Sequence, residues 1–455
     1  MKIIVVGCGK IGTHIVGTLA AEGHDVTAVD LSESVIANIS DQYDVQTLVG
    51  NGTDYDTLQE AGAEDCRLFL VMTTSDETNI LCCFLARRMG AHHTVARIEN
   101  TATSDNELAF IKQQMNISMF LNPSQIVASE LFNMLKLPTG MHADYFARRS
   151  FEMVEMKLPE ESILDGMTLI DMRKKYKGKY LIVAVGRGDD VYVPDGFFRL
   201  KSGDRITMNA SPAEADRVLS ELGYNTIASR SVMILGGSHT AQHLGKMLIE
   251  LGTTVKIIEG DRDRCRDLCE ALPEAIVIHG DGAHGEMLLE EGLANADAFV
   301  ALTGMDEENI LMAIYASTQN VPKTVAKIDR SEFSSLAMKL GLSGQVEPQK
   351  LVADLIVRYA RAIENAVGNN VETLYKLMGG KAEALEFNVR QGFKKAGVAL
   401  LNLNGQTKPN ILIGGIVRGD QRIIPGPTDS MQVGDRVIVV SAGHTLYDLS
   451  DIFVE

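Results

Sequence analysis

The sequence predicts an α/β protein built from two tandem Rossmann-like, doubly wound parallel sheets, each followed by a small α+β lobe. Three observations lead there. The chain opens on a glycine-rich strand-to-helix turn, short apolar strands then alternate with amphipathic helices, and the whole plan is written twice within 455 residues.

Ile3 to Val6 form a β-branched run suited to a strand buried on both faces. Gly7, Gly9 and Gly12 follow in G-x-G-x-x-G spacing, and Ile11, Ile15 and Leu19 mark a helix stripe that stops at Gly23. Val26 to Val29 resume a strand whose end carries Asp30, 18 residues after Gly12. Each part suits a dinucleotide. Gly7 permits the tight turn, Gly9 lets a pyrophosphate approach the backbone, and Gly12 allows close helix–strand packing. The helix N-terminus across Cys8, Lys10 and Ile11 offers N–H groups and a positive dipole end to phosphate. Asp30 can accept hydrogen bonds from the adenosine ribose, and its charge disfavours a 2′-phosphate.

The alternation continues with strands at Val45–Val49, Leu68–Thr73 and Thr94–Ile98 and helices at Asn79–Met89 and Asn106–Met115. Such alternation predicts a parallel sheet with right-handed crossovers. A helix at Pro123–Leu135, capped by Asn122 and ended by Pro138-Thr139-Gly140, leads into a lobe. The lobe has strands at Phe151–Leu158, Tyr180–Gly186, Val191–Val193 and Ile206–Met208, then a helix at Pro212–Leu222.

Adding 229 to the first motif lands on Gly236, Ser238 and Ala241, and carries Asp30 onto Glu259. Met72–Ile80 matches Leu302–Ile310, and Arg97-Ile98-Glu99 matches Lys327-Ile328-Asp329, both at an offset of 230. Arg187-Gly188-Asp189 matches Arg418-Gly419-Asp420, and Ser202–Arg205 matches Val433–Arg436, both at 231. Near-constant offsets over such a length indicate tandem duplication of one large unit. The expected organisation is a first sheet at residues 1–122, helix and hinge at 123–148 and a lobe at 149–226. The second copy has its sheet at 231–346, helix and hinge at 347–380 and lobe at 381–455.

Composition narrows the partners. With 43 basic and 60 acidic residues the formal net charge is −17, which argues against nucleic acid or an anionic membrane surface as a direct partner. No run reaches the roughly 18 apolar residues of a spanning helix. The N-terminus enters a strand at once, unlike a signal peptide. The six cysteines form no C-x-x-C pair and read as reduced cytosolic thiols. Cys265 and Cys269 could share a helix face, but nothing nearby completes a metal site.

In a doubly wound sheet the ligand lies beyond the carboxyl ends of the strands. Asn51, after the third strand, is placed to bond adenine or ribose, while Asp54 reads as a helix cap. Thr73 and Thr74 suit ribose or phosphate, or else form an ordinary helix entry capped by Ser75 or Asp76. Arg97 could reach phosphate bidentately, or pair with Glu99 or Asp76. In the second copy, Gly236, Gly237, Ser238, His239, Thr240 and Glu259 occupy the matching places, with Ser238 expected to narrow the phosphate path. No histidine falls into a constellation with an acid or lysine, and no G-x-S-x-G, H-E-x-x-H or Walker-type loop is present. Catalytic and metal-binding residues are therefore expected to be absent. Nucleotide binding without chemistry reads as a sensor; an NAD-dependent oxidoreductase is the alternative.

The opening MKIIVVGCGKIG, Asp30, the N-G-T-D box at Asn51–Asp54 and the Thr73–Asn79 segment resemble the potassium-conductance regulatory domains (KTN or RCK), and the resemblance spans essentially the whole chain. It implies a non-enzymatic, cytoplasmic regulatory subunit that binds NAD(H) and, in some members, ATP or ADP. Two units per chain imply a homotetramer forming a ring of eight. The ring would dock peripherally on the inner face of the plasma membrane, on a TrkH- or TrkG-like potassium-translocating subunit. A regulator of another ion transporter is the neighbouring possibility. The implied contacts are Gly7 to Ile11, Asp30, Thr73, Thr74 and Arg97, with the Pro123–Leu135 helix as the moving element.

Overall fold

The computed structural model describes residues 1–99, 105–136, 142–146, 151–223, 229–342, 344–366, 371–403, 405–419, 421–444, 446 and 448–454. Met1–Phe132 with Ser229–Val357 form one compact unit, and Asn133–Ala228 with Arg358–Glu455 form another. The first unit holds two parallel sheets and the second two antiparallel ones.

The first parallel sheet comprises β1 (Lys2–Val6), β2 (Asp25–Asp30), β3 (Gln46–Val49), β4 (Leu68–Val71), β5 (His93–Arg97) and β6 (Met119–Leu121). Its order is β3-β2-β1-β4-β5-β6, so the chain reverses direction across the sheet between β1 and β4. β4 is buried at every residue and β1 at all but Lys2, as expected for central strands covered on both faces. Helices α1 (Lys10–Ala21), α2 (Glu33–Gln42), α3 (Tyr55–Glu60), α4 (Asp76–Met89), α5 (Asp105–Gln114) and α6 (Pro123–Lys136) connect and follow the strands. The buried stripe of α1 is Gly12, Ile15, Val16 and Leu19, one position round from the expected one. Ile11 is left at the mouth of the sheet. β4 stops two residues short of the expected Thr73 because the Thr73 amide bonds the Asn79 side chain, at 3.1 Å, instead of a strand. Asn122 caps α6 through the Gln125 amide at 2.9 Å, and Val127, Leu131 and Leu135 are buried. Pro138-Thr139-Gly140 lies outside the described residues.

The first lobe contains β7 (His142–Phe146), β8 (Phe151–Lys157), α7 (Leu169–Lys175), β9 (Tyr180–Arg187), β10 (Asp190–Tyr192), β11 (Arg205–Ala210) and α8 (Pro212–Glu221), with strand order β10-β9-β11-β8-β7.

The second copy repeats the plan with β12 (Ser231–Leu235), α9 (His239–Glu250), β13 (Thr254–Glu259), α10 (Arg262–Ala271), β14 (Ile276–His279), α11 (Gly285–Glu290), β15 (Ala298–Ala301), α12 (Asp306–Thr318), β16 (Lys323–Lys327), α13 (Ser331–Lys339), β17 (Gly344–Val346) and α14 (Pro348–Ala366). Its sheet order, β14-β13-β12-β15-β16-β17, is that of the first. The second lobe has β18 (Val371–Leu377), β19 (Ala382–Asn388), α15 (Leu400–Leu403), β20 (Ile411–Arg418), β21 (Gln421–Ile423) and β22 (Arg436–Ser441). Read from β21, its order reproduces that of the first lobe. β7 and β18 fall in the segments expected to be hinge, yet both are paired into the lobe sheets.

The matched R-G-D and G-D-R segments have a physical reason. Arg187 grips Asp204 through Nε and Nη2, both at 2.8 Å, and Arg418 grips Asp435 identically. Both aspartates are buried, and a buried carboxylate needs such pairing. The two lobes share one core, where Met153, Val183 and Ala184 pack with Leu377, Ala384, Ile438 and Val440. The Asn209 amide donates to Gly414 O across it at 2.7 Å. Among the described residues no helix is long and apolar enough to cross a membrane.

Candidate nucleotide-binding site

A cleft of about 610 Å³ opens at the carboxyl ends of β1, β2 and β4, where the sheet order reverses. Gly7, Gly9, Lys10, Ile11, Asp30, Asn51, Thr73, Thr74 and Arg97 all line it. Gly7 takes φ +84, and a Cβ there would lie 2.7 Å from the Thr73 amide. Gly9 is the N-cap of α1, with no side chain capping the first turn and nothing within 4 Å of where its Cβ would be. The first-turn N–H groups therefore face open space, the arrangement that receives phosphate. Gly12 and Cys8 do not line the cleft. A Cβ on Gly12 would meet Gly7 O at 2.1 Å, so its absence sets the helix against the turn. Cys8 contributes its amide, which donates to Asp30 Oδ2 at 2.7 Å, while Ser32 N donates to Oδ1 at 2.9 Å. These two bonds fix the carboxylate at the strand end and leave lone pairs for sugar hydroxyls.

Asn51 Oδ1 accepts from Thr53 N at 3.0 Å and Thr53 Oγ1 at 2.9 Å, forming a local turn at the cleft edge. Asp54 caps α3 through Thr57 N at 3.1 Å, and Ser75 caps α4 through Thr78 N at 3.1 Å. Arg97 lines the cleft and pairs with Glu99 at 3.4 Å, while its Nε is buried without a hydrogen-bond partner.

Two features escaped the sequence reading. Asn79 is fully buried beneath the cleft. Its Oδ1 accepts from Thr73 N and Thr73 Oγ1 at 3.1 and 2.6 Å, and its Nδ2 donates to Thr73 O and Arg97 O at 3.1 and 2.9 Å. One side chain thus ties the ends of β4 and β5 together. Asn309 makes the same four bonds with Thr303 and Lys327 O in the second copy. The other feature is the far wall of the cleft, made by Asp329, Pro348 and Gln349 of the second copy. Lys10 Nζ reaches across to Asp329 at 3.2 Å.

The second cleft, about 720 Å³, is lined by Gly236, Gly237, Ser238, His239 and Glu259; Thr240 is buried in α9 instead. Gly236 takes φ +93, matching Gly7. Glu259 is fixed as Asp30 is, by Gly237 N at 2.5 Å and Asp261 N at 2.7 Å. The helix N-terminus differs, because Ser238 Oγ accepts from Ala241 N at 3.3 Å. Ser238 therefore acts as a cap, using an N–H group that the first cleft leaves uncapped.

Burial pushes the Cys8 and Cys66 thiols up to about 12, with the Asp30 charge adding to the effect at Cys8. Burial also raises Cys82 to about 11 and Cys83 well above its ordinary value. Thiolates are the reactive form, so these thiols should be inert at neutral pH. Cys269 alone is exposed among the six. Maleimide labelling read by peptide mass spectrometry should modify Cys269 quickly and the other five only on unfolding. Rapid labelling of Cys8 in the folded chain would contradict its burial. Among the described residues no cluster of His, Cys, Asp or Glu could hold a metal ion.

The TrkA-N domain model matches residues 3–112 and 232–348, and the TrkA-C domain model matches residues 153–223. The Trk system potassium uptake protein TrkA homolog 1 of Methanosarcina mazei is 26% identical over 461 residues, covering all of both chains. The GsuK RCK domain matches with a TM-score of 0.64 at 14% identity, over 97% of this chain and 92% of that one. The GsuK channel bound to NAD also gives 0.64 at 14% identity, over 97% of this chain and 77% of that one. With two sheets matched by the TrkA-N model, a lobe matched by the TrkA-C model and a relative aligned from end to end, the chain belongs to the TrkA family.

Proposed function

We propose that the chain is a nucleotide-sensing, non-enzymatic regulatory subunit of a potassium-uptake system, with NAD(H) or ADP/ATP held in the first cleft. The observation that carries this reading is the uncapped helix N-terminus at Gly9 facing the fixed Asp30 carboxylate across one cleft. The name of the Methanosarcina relative and the NAD bound to the GsuK channel support it. In this reading the chain works in the cytoplasm as a homotetramer, a ring of eight units, peripherally attached to a TrkH- or TrkG-like membrane subunit. Gly7 to Ile11, Asp30, Thr73, Thr74 and Arg97 form the nucleotide contacts, and Asn51 lies at the adenosine end. A nucleotide moves such a gate only as far as its affinity differs between two ring conformations.

The test is an affinity panel of NAD⁺, NADH, ATP and ADP on the wild type and on Asp30→Ala. Loss of the carboxylate removes a charge-assisted hydrogen bond to the sugar, worth about 1.5–3 kcal/mol, so affinity should fall roughly 10- to 100-fold. Unchanged affinities would remove the site assignment. NADH should remain unoxidised on incubation with the protein; steady turnover with a small substrate would favour an oxidoreductase. Co-purification with an antiporter instead of a potassium-translocating subunit would change the partner.

A further inference from the structure

We propose that the second cleft is a ribonucleoside site that excludes diphosphates, taking a ligand whose 5′ group is neutral or cationic. This rests on the reading of the first cleft as a nucleotide site, since the two clefts are copies and differ at identifiable places.

The sugar end is retained. Glu259 stands at the end of β13, both its oxygens oriented by backbone N–H groups as those of Asp30 are. A carboxylate has about four acceptor positions, so two remain for vicinal ribose hydroxyls. The turn at Gly236 and the volume of the cleft are retained as well.

The charges lining the rest of the cleft are changed. The first cleft offers Lys10 and Arg97 against Asp30 and Asp329. In the second, His239 stands at the Lys10 position, Asp281 at that of Asn51 and Glu308 at that of Thr78, and all three line the cleft. Lys327, the counterpart of Arg97, is not among the residues lining it. Among the described residues the one guanidinium lining it, Arg264, is committed to Gly237 O at 2.6 Å and Gln242 Oε1 at 3.0 Å. Glu308 lies 3.4 Å from Thr303 Oγ1, beside the segment that matches the phosphate-facing Thr73. A diphosphate placed here would meet a capped helix and the added Glu308 carboxylate, with no uncommitted Lys or Arg among the described lining residues to offset it. A neutral or cationic substituent meets favourable charge in the same place.

The experiment uses the full-length chain carrying Asp30→Ala, which weakens the first cleft roughly 10- to 100-fold, with adenosine and ADP as calorimetric probes. Adenosine should bind once per chain, and ADP should bind about a hundredfold more weakly than it does to the wild-type first cleft. Adding Glu259→Ala, or the closer isostere Glu259→Gln, should abolish the adenosine signal without changing the melting profile of the lobes. Adding Ser238→Gly with Glu308→Thr should recover ADP binding. The inference is overturned if ADP binds the Asp30→Ala chain as tightly as adenosine and Glu259→Ala removes that binding. It is equally overturned if no adenosine signal depends on Glu259. ADP binding at wild-type affinity in the chain carrying both Asp30→Ala and Glu259→Ala would instead overturn the first-cleft assignment, and the adenosine arm would still decide the second.

Discussion

Gly12→Val should destabilise the first half by on the order of 3 kcal/mol, the cost of forcing a branched side chain into packed backbone. The Cβ would sit 2.1 Å from Gly7 O and 3.1 Å from Gly7 C, and neither atom can move without opening the strand-to-helix turn. Ala241 fills the same place in α9, which shows that a loop of this kind can be built around one methyl but not that it accepts two more carbons. Nucleotide binding should be lost with the turn. Gly9→Ala is the matched contrast. Its Cβ meets nothing within 4 Å and its backbone, at φ −65 and ψ −166, is open to alanine. Stability should be unchanged, while affinity for ADP should fall by about tenfold or more as the methyl intrudes where the diphosphate approaches. Thermal melting and ADP titration of the two variants would check this. Full ADP affinity in Gly9→Ala would mean that the diphosphate does not pass over that residue.

Asn79→Ala should be nearly as damaging, at about 3 kcal/mol. It leaves the half-buried Thr73 amide, Thr73 O and Arg97 O without the partner they had, and each orphaned group costs up to about 1–3 kcal/mol before relaxation. Because Thr73 and Arg97 both line the first cleft, ADP affinity should fall as well. Asn309→Ala removes the same four bonds from the second copy, so it should cost similar stability and leave ADP binding at the first cleft intact. Urea unfolding alongside ADP titration separates the two effects. An Asn79→Ala chain as stable as the wild type would show that water replaces the side chain at little cost.

Much of this architecture was legible because it depends on short-range chemistry. The glycine spacing, the strand-end acids and the near-constant offset between copies are local patterns, and the helix at Pro348–Ala366 coincides with its apolar periodicity. Asn79 was not legible in the same way. A polar residue in a helix ordinarily faces solvent, and only its place on the buried stripe with Cys82, Cys83 and Ala86 marks it as interior. The second copy carried a usable signal, since a threonine six residues before an asparagine recurs as Thr303 and Asn309. The wall formed by Asp329, Pro348 and Gln349 had no local signal at all. It is set by the packing of residues more than three hundred positions from the glycine loop, which no periodicity records.

That shared wall has a consequence for how a fused pair can diverge. In an assembly of identical separate subunits, any change to a ligand pocket appears in every pocket. Joined in one polypeptide, the later copy is free to change its own cleft, as at Ser238 and Glu308, while still supplying Asp329 and Gln349 as masonry for its sibling. Cutting the polypeptide between the copies would therefore deprive the first cleft of part of its own wall.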